Sequence, residues 1–158
     1  ELGNQPVILW CQYQESIRQI AALLGEKAVT LYGETKDRSE SLRRFGTDAQ
    51  YLIAHPAAAG HGLTLTQSHA AVYYSLGWSY EQYIQSQDRQ HRIGQTNSVL
   101  YVHLIAKDTI DLDIYAVLQK KKTLQEVMDE HFRSRAAPRG AAADQDAVAE
   151  GMGAGRAA

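Results

Sequence analysis

The sequence predicts an α/β domain, a parallel β-sheet flanked by helices in a three-layer arrangement. Short apolar runs such as Val7-Ile-Leu-Trp-Cys11 suit strands covered on both faces. Amphipathic segments of helical period separate them, as in Glu15 to Leu24, where Ile17, Ile20, Ala21 and Leu24 fall on one stripe. The two kinds of segment alternate along the chain, which is the pattern of successive strand–helix–strand units. At 158 residues the chain fits one ordinary domain. It carries no internal repeat of fixed period.

Each element has its own justification. The first strand is Val7 to Cys11, and the helix from Glu15 to Leu24 stops at Gly25. Ala28 to Tyr32 forms the second strand. Asp37 to Phe45 reads as a helix, with Asp37 and Glu40 spaced as a capping box and Gly46 as its stop. Tyr51 to Ala54 and Ala70 to Tyr74 are the third and fourth strands. A helix is expected from Tyr80 to Ile93, opened by Ser79 with Gln82 three residues on and closed by Gly94. Val99 to Ile105 is the fifth strand. The last helix begins at Thr109 and carries Ile110, Ile114, Val117, Leu124 and Met128 near one face.

Composition bounds the function. Hydrophobic residues make up 44% and charged residues 22%, so a folded core is affordable. Apolar runs are far shorter than the roughly 20 residues that span a bilayer. Glu1 to Pro6 lacks the basic-then-apolar pattern of a secretory leader. Cys11 is the single cysteine, so an intrachain disulfide and a thiolate zinc cage are both excluded. Its apolar setting predicts a buried, inert thiol. The expectation is a soluble, intracellular protein. Sixteen basic and eighteen acidic residues give a net charge of −2, which advertises no global basic field for nucleic acid. Ser134 to Ala158 differs sharply: fourteen of its residues are Ala or Gly, and it has no aromatic, Leu or Ile. It is expected to be a disordered tail, which leaves residues 1–133 as the folded lobe.

The usual phosphate-binding loops are missing. No G-x-x-x-x-G-K-[ST] occurs, and no G-x-G-x-x-G follows a strand. The only Asp-Glu pair, Asp129-Glu130, falls late in the final helix rather than at a strand end. His55, His61 and His69 lack regular ligand spacing, so no metal is assigned to them.

Two segments carry chemistry. In Gln85-Ser-Gln-Asp-Arg89-Gln-His-Arg92-Ile-Gly-Gln95, helical spacing puts Gln85, Arg89 and Arg92 on one face. Paired guanidiniums there form a fork for a polyanion, because each donates in pairs to phosphate oxygens and stays charged. A solvated face balanced by Asp88 is the plainer alternative. The small residues of Ala58-Ala-Gly60-His-Gly62-Leu-Thr64-Leu follow the third strand, where backbone amides can approach a ligand at the carboxyl edge of a parallel sheet. An ordinary tight turn would have the same composition.

Together these segments resemble the C-terminal RecA-like lobe of helicase superfamily two, in the switch/sucrose-non-fermenting branch of DNA-translocating ATPases. Val7 to Ile17, with Tyr13 at an aromatic position, resembles motif IV. Leu31-Tyr-Gly33-Glu-Thr35, with Arg38 and Phe45, is similar to the glycine–hydroxyl segment that follows it. Ala58 to Leu65 resembles motif V. Gln85 to Gln95 matches motif VI, and its His-Arg-Ile-Gly-Gln ending is the most specific signal. Trp78 stands where the branch carries a Trp. Ser75, Ser79 and Thr64 depart from the remodelling subgroup, and with the short motif spacing they point toward annealing-helicase or bacterial and phage members.

The resemblance implies half of an engine. ATP and Mg²⁺ would be held mainly by a first lobe that carries the Walker motifs missing here. Arg89 and Arg92 would be arginine fingers, and Gln85 would help place the nucleotide or attacking water. Gly60 and Gly62 would shape the nucleotide-coupled loop. Thr64, Gly33 and Thr35 would be contacts to the backbone of double-stranded DNA. The final helix, from residue 110 to 133 and including Lys120-Lys-Lys122, would brace the lobes. The chain alone would hydrolyse no ATP. It would be cytoplasmic in a bacterial or phage setting and nuclear in a eukaryote. An RNA helicase lobe and a degenerate lobe used for protein interaction are the alternatives, and each disagrees with part of motif VI.

Overall fold

In the computed structural model, the described residues are 3–59 and 63–122. They form a five-stranded sheet in the order β2-β3-β1-β4-β5, with every pairing parallel. The strands are β1 (Val7–Trp10), β2 (Ala28–Leu31), β3 (Tyr51–Ala54), β4 (Ala70–Tyr73) and β5 (Leu100–His103). All five lie where the hydrophobic runs place them, trimmed by a residue or two at the ends. Helices α1 (Gln14–Leu24), α2 (Arg38–Arg44) and α3 (Tyr80–Asp88) alternate with the strands, and α4 is helical from 110 to 122, the last described residue. The expected tail, and the expected continuation of the last helix with Leu124, Met128 and the Asp129-Glu130 pair, lie outside the described residues.

Strand alternation divides the core in two. Ile8, Trp10, Val29, Leu31, Leu52 and Ala54 point to one face, where they meet Leu42 of α2, Tyr83 of α3 and Ile114 and Leu118 of α4. Cys11 and Ile53 point to the other face, where Ile17, Ile20, Ala21 and Leu24 of α1 cover them. The period-2 pattern of each strand and the 3.6-residue stripe of α1 thus meet across one interface.

Helix ends follow the capping chemistry read from the sequence. Asp37 Oδ1 accepts from the Glu40 amide at 2.9 Å, and Ser79 Oγ accepts from the Gln82 amide at 3.3 Å. Gly25 caps α1 with φ at 57°, and Gly46, just past α2, has φ at 86°. Both adopt the left-handed region that glycine enters without penalty. A short 3₁₀ turn over Pro56–Ala59, with no sequence signal of its own, follows β3.

One boundary departs from expectation. Helix α3 ends at Asp88, not near Ile93, and residues 89–99 form turns and irregular chain. Continuing the helix would require the Arg89 carbonyl to accept from residue 93. It accepts from the Leu65 amide instead, at 2.8 Å. Gly94, with φ at 105°, therefore closes a turn in that loop rather than the helix.

Candidate functional site: the Arg89–Gln95 loop and the strand edges

Arg89 and Arg92 leave α3 by different routes. Gln85 sits on the helix, half-buried, with its Nε2 donating to Glu81 Oε1 at 3.0 Å. Arg89 is the helix C-cap, and Arg92 lies four residues past the last helical residue. The expectation that all three share one face of a continuous helix is therefore corrected. The tertiary bond from Leu65 to Arg89 redirects the chain before Arg92 is reached.

The structure nevertheless brings the arginines to the segment that follows Gly62. Arg92 Nη1 donates to Thr64 Oγ1 at 3.0 Å and lies 3.4 Å from the Leu63 carbonyl. Gln95 Nε2 donates to the carbonyls of Thr66 and Ser68, each at 3.2 Å. Residues 63–68 and 89–95 are thus laced together by backbone and side chains. Thr64 is exposed beside Arg92, so two of the expected site residues are direct partners.

Arg89 is the unusual member. The residue is only 6% exposed, and its Nε has no hydrogen-bond partner among the described residues. A buried guanidinium N–H without an acceptor is costly, since its lost hydration is repaid only by a hydrogen bond or a counter-charge. Beside it, Gln90 is fully buried and donates from Nε2 to Ser68. The apolar-or-polar pattern gave no signal for that burial, because a Gln beside two arginines reads as surface.

The other expected contacts lie on the opposite edge of the sheet. Ser68 precedes β4 and its hydroxyl reaches the Pro6 carbonyl before β1, which puts the arginine loop at the amino edge. Gly33 and Thr35 follow β2 at the carboxyl edge. Each strand has four residues, so the edges are about 13 Å apart. At the carboxyl edge, Gln14, Tyr32, Gly33, Arg38, His55 and Ala58 line a cleft of about 380 Å³. Arg38 donates there to the Ala58 carbonyl, and His55 Nδ1 accepts from the Ala57 amide at 3.1 Å. Sequence reasoning left His55 without a role and named Arg38 only as part of the glycine–hydroxyl segment. Thr35 Oγ1 accepts from the Tyr32 amide at 3.0 Å and donates to the Thr30 carbonyl at 3.2 Å, so this hydroxyl holds its own turn. Gly60 and Gly62 lie outside the described residues. The chain stands at the carboxyl edge at 55–59 and at the amino edge by 66–68.

Behind α3, aromatic rings fill the space under α4. His103 stacks on Tyr73 at 4.8 Å, and its Nε2 lies 3.0 Å from the Tyr83 hydroxyl. Burial, and then the Lys122 charge, hold this imidazole below its ordinary range. The Tyr73 hydroxyl pairs with Ser86 at 2.6 Å, and burial raises its pKa. Burial also raises the Tyr101 phenol, to about 12, and its hydroxyl donates to the Gln87 carbonyl. Among the described residues no three His, Cys, Asp or Glu side chains gather as a metal-binding group. No helix among them is long and apolar enough to cross a membrane.

A family profile described as helicase conserved C-terminal domain matches residues 1–94. The chain belongs to that helicase family. Relatives of this helicase lobe include the ATP-dependent helicase brm of Drosophila melanogaster, 34% identical over 78% of the chain. Another is the SWI/SNF-related matrix-associated actin-dependent regulator of chromatin subfamily A-like protein 1 of Xenopus tropicalis, 32% identical over 77%. The chain spans only 8% and 14% of those two proteins. The crystal structure of the C-terminal part of the Fun30 ATPase domain is also similar, with 25% identity and a TM-score of 0.64. That likeness covers 72% of this chain and 39% of that one. The helicase lobe is RecA-like and falls in the switch/sucrose-non-fermenting branch, as these relatives show.

Proposed function

We propose that the chain is the second lobe of a DNA-dependent ATPase and translocase, and that it supplies arginine fingers to ATP bound on a first lobe. The observation that carries this reading is Arg89, a buried residue whose Nε lacks an acceptor among the described residues, close to Arg92 in the chain. A triphosphate is the polyanion that such a pair fits. ATP supplies the phosphoryl group and Mg²⁺ helps neutralise it, both held mainly by the partner lobe. This chain's part is electrostatic: Arg89 and Arg92 donate to oxygens on which charge builds as the phosphoryl group transfers. Gln85, one turn earlier, orients the nucleotide or the attacking water. Thr64 holds Arg92 in the meantime. Alone, the chain turns over no ATP.

The carboxyl-edge cleft is the DNA side. Gly33 and Arg38 line a groove with Gln14, Tyr32, His55 and Ala58, a polar setting suited to a phosphate–sugar strand read without its bases. Thr35 supports this edge by fixing its turn, and Thr64 is a further contact where the segment crosses the sheet. The segment from 55 to 68, including Gly60 and Gly62, joins the DNA edge to the arginine edge, a route for coupling grip to nucleotide state. The described part of the last helix, residues 110–122, braces the two lobes. The protein is nuclear if its source is eukaryotic and cytoplasmic if bacterial.

The deciding experiment is steady-state ATP turnover by the two-lobe protein with duplex DNA, single-stranded DNA and RNA. Duplex stimulation should fall by about 10³–10⁵ in Arg92→Ala and in Arg89→Ala. Turnover indifferent to both would refute the finger role and favour a degenerate interaction lobe. Stimulation by RNA alone would make the protein an RNA helicase.

A further inference from the structure

Gln90 lies between the two arginines, and its carboxamide is fully buried. Its Nε2 donates to both the carbonyl and the hydroxyl of Ser68, each at 3.3 Å. Ser68 is also fully buried, and its Oγ lies 2.9 Å from the Pro6 carbonyl and 2.8 Å from that of Ala70. Three pieces of chain therefore converge on one hydroxyl: the lead into β1, the lead into β4 and the loop that follows α3.

We propose that Gln90 and Ser68 are a positioning pair that sets the register of the Arg89–Arg92 loop against residues 63–68. The proposal rests on the finger reading above and adds how the fingers are aimed. Arg89 Nε has no hydrogen-bond partner among the described residues, so where the loop backbone stands at 89 and 90 bears on where the guanidinium lies. The hydrogen bond from the Leu65 amide to the Arg89 carbonyl anchors the loop at its start, while the Arg92–Thr64 contact and the Gln95 bonds to Thr66 and Ser68 hold its far side. The Gln90–Ser68 contact supplies a further anchor one residue past Arg89.

Stability alone does not account for this glutamine. Gln90 Oε1 is buried with no hydrogen-bond partner among the described residues, so the carboxamide carries an unmet acceptor that an apolar side chain of the same length would lack. A residue kept for packing would be better as Met. The pair instead trades stability for a fixed loop geometry, and small misplacements of a catalytic group cost large factors in rate.

Gln90→Met and Ser68→Ala test this. In the two-lobe protein each should lower kcat about tenfold, while the thermal midpoint of Gln90→Met stays level or rises. In the 158-residue chain, hydrogen exchange at the Leu65 and Gln95 amides should speed up about tenfold in either variant, with β3 amides unchanged. Unchanged exchange at Leu65 and Gln95 would overturn the proposal, and so would turnover that falls only in step with a falling midpoint. If both variants lose protection across the whole sheet, the pair is a general core element and the proposal fails. Turnover insensitive to Arg89→Ala and Arg92→Ala would sink the finger reading separately, because the exchange measurement does not depend on nucleotide.

Discussion

Arg92 and Thr64 form a contact that neither residue type announces alone. The hydroxyl accepts from the guanidinium at 3.0 Å, so Thr64→Val should remove this contact and lower turnover by less than Arg92→Ala does. Steady-state kinetics on the two variants side by side would check that order, and a larger loss in Thr64→Val would contradict it. Cys11 is simpler. It is fully buried, and burial pushes its thiol up to about 12, in agreement with the inert thiol read from its apolar neighbours. Alkylation near neutral pH should therefore be blocked in the folded chain and rapid in denaturant. Mass-spectrometric labelling would decide it, and fast native labelling would contradict the burial.

Helix α2 gives the cleanest case at the level of elements. Only seven residues long, it depends on its ends. Asp37→Ala removes the acceptor for the Glu40 amide and should cost about 1 kcal/mol. Gly46→Ala forces a β-carbon into a left-handed conformation with φ at 86°, 3.2 Å from Gln67 Cγ, and should cost about 1–2 kcal/mol. Chemical denaturation of both variants would measure these losses, and a neutral Gly46→Ala would refute the strain argument. Caps of this kind are local, and that is why Asp37, Ser79, Gly25 and Gly46 could be read from spacing. The end of α3 could not. Its sequence continues in a helix-compatible pattern to Ile93, and only the Leu65 amide, from twenty-four positions earlier in the chain, takes the carbonyl that the next turn needs.

The whole lobe responds to pH through His103. Its imidazole, against Tyr73, Tyr83 and Tyr115 and near Lys122, has a pKa lowered from 6.5, with burial the first cause. The unfolded chain then binds the proton more readily than the folded one. This contribution to stability is complete above about pH 6.5 and is lost as pH falls through the folded value. The thermal midpoint should drop on acidification below neutrality, and His103→Gln, which keeps a partner for the Tyr83 hydroxyl, should flatten that slope. Equal slopes in the two proteins would rule out His103 as the origin.

Five strands, their parallel class, the N-caps Asp37 and Ser79 and the motif VI arginines follow from the chain's order of residues, because periodicity and caps act over a few neighbours. Tertiary structure alone decided the rest. It placed the arginine loop and the Gly33 cleft on opposite edges of one sheet, ended α3 early, and buried Gln90 against Ser68. Each of these depends on hydrogen bonds between residues more than twenty apart, and such pairings leave no mark on local spacing.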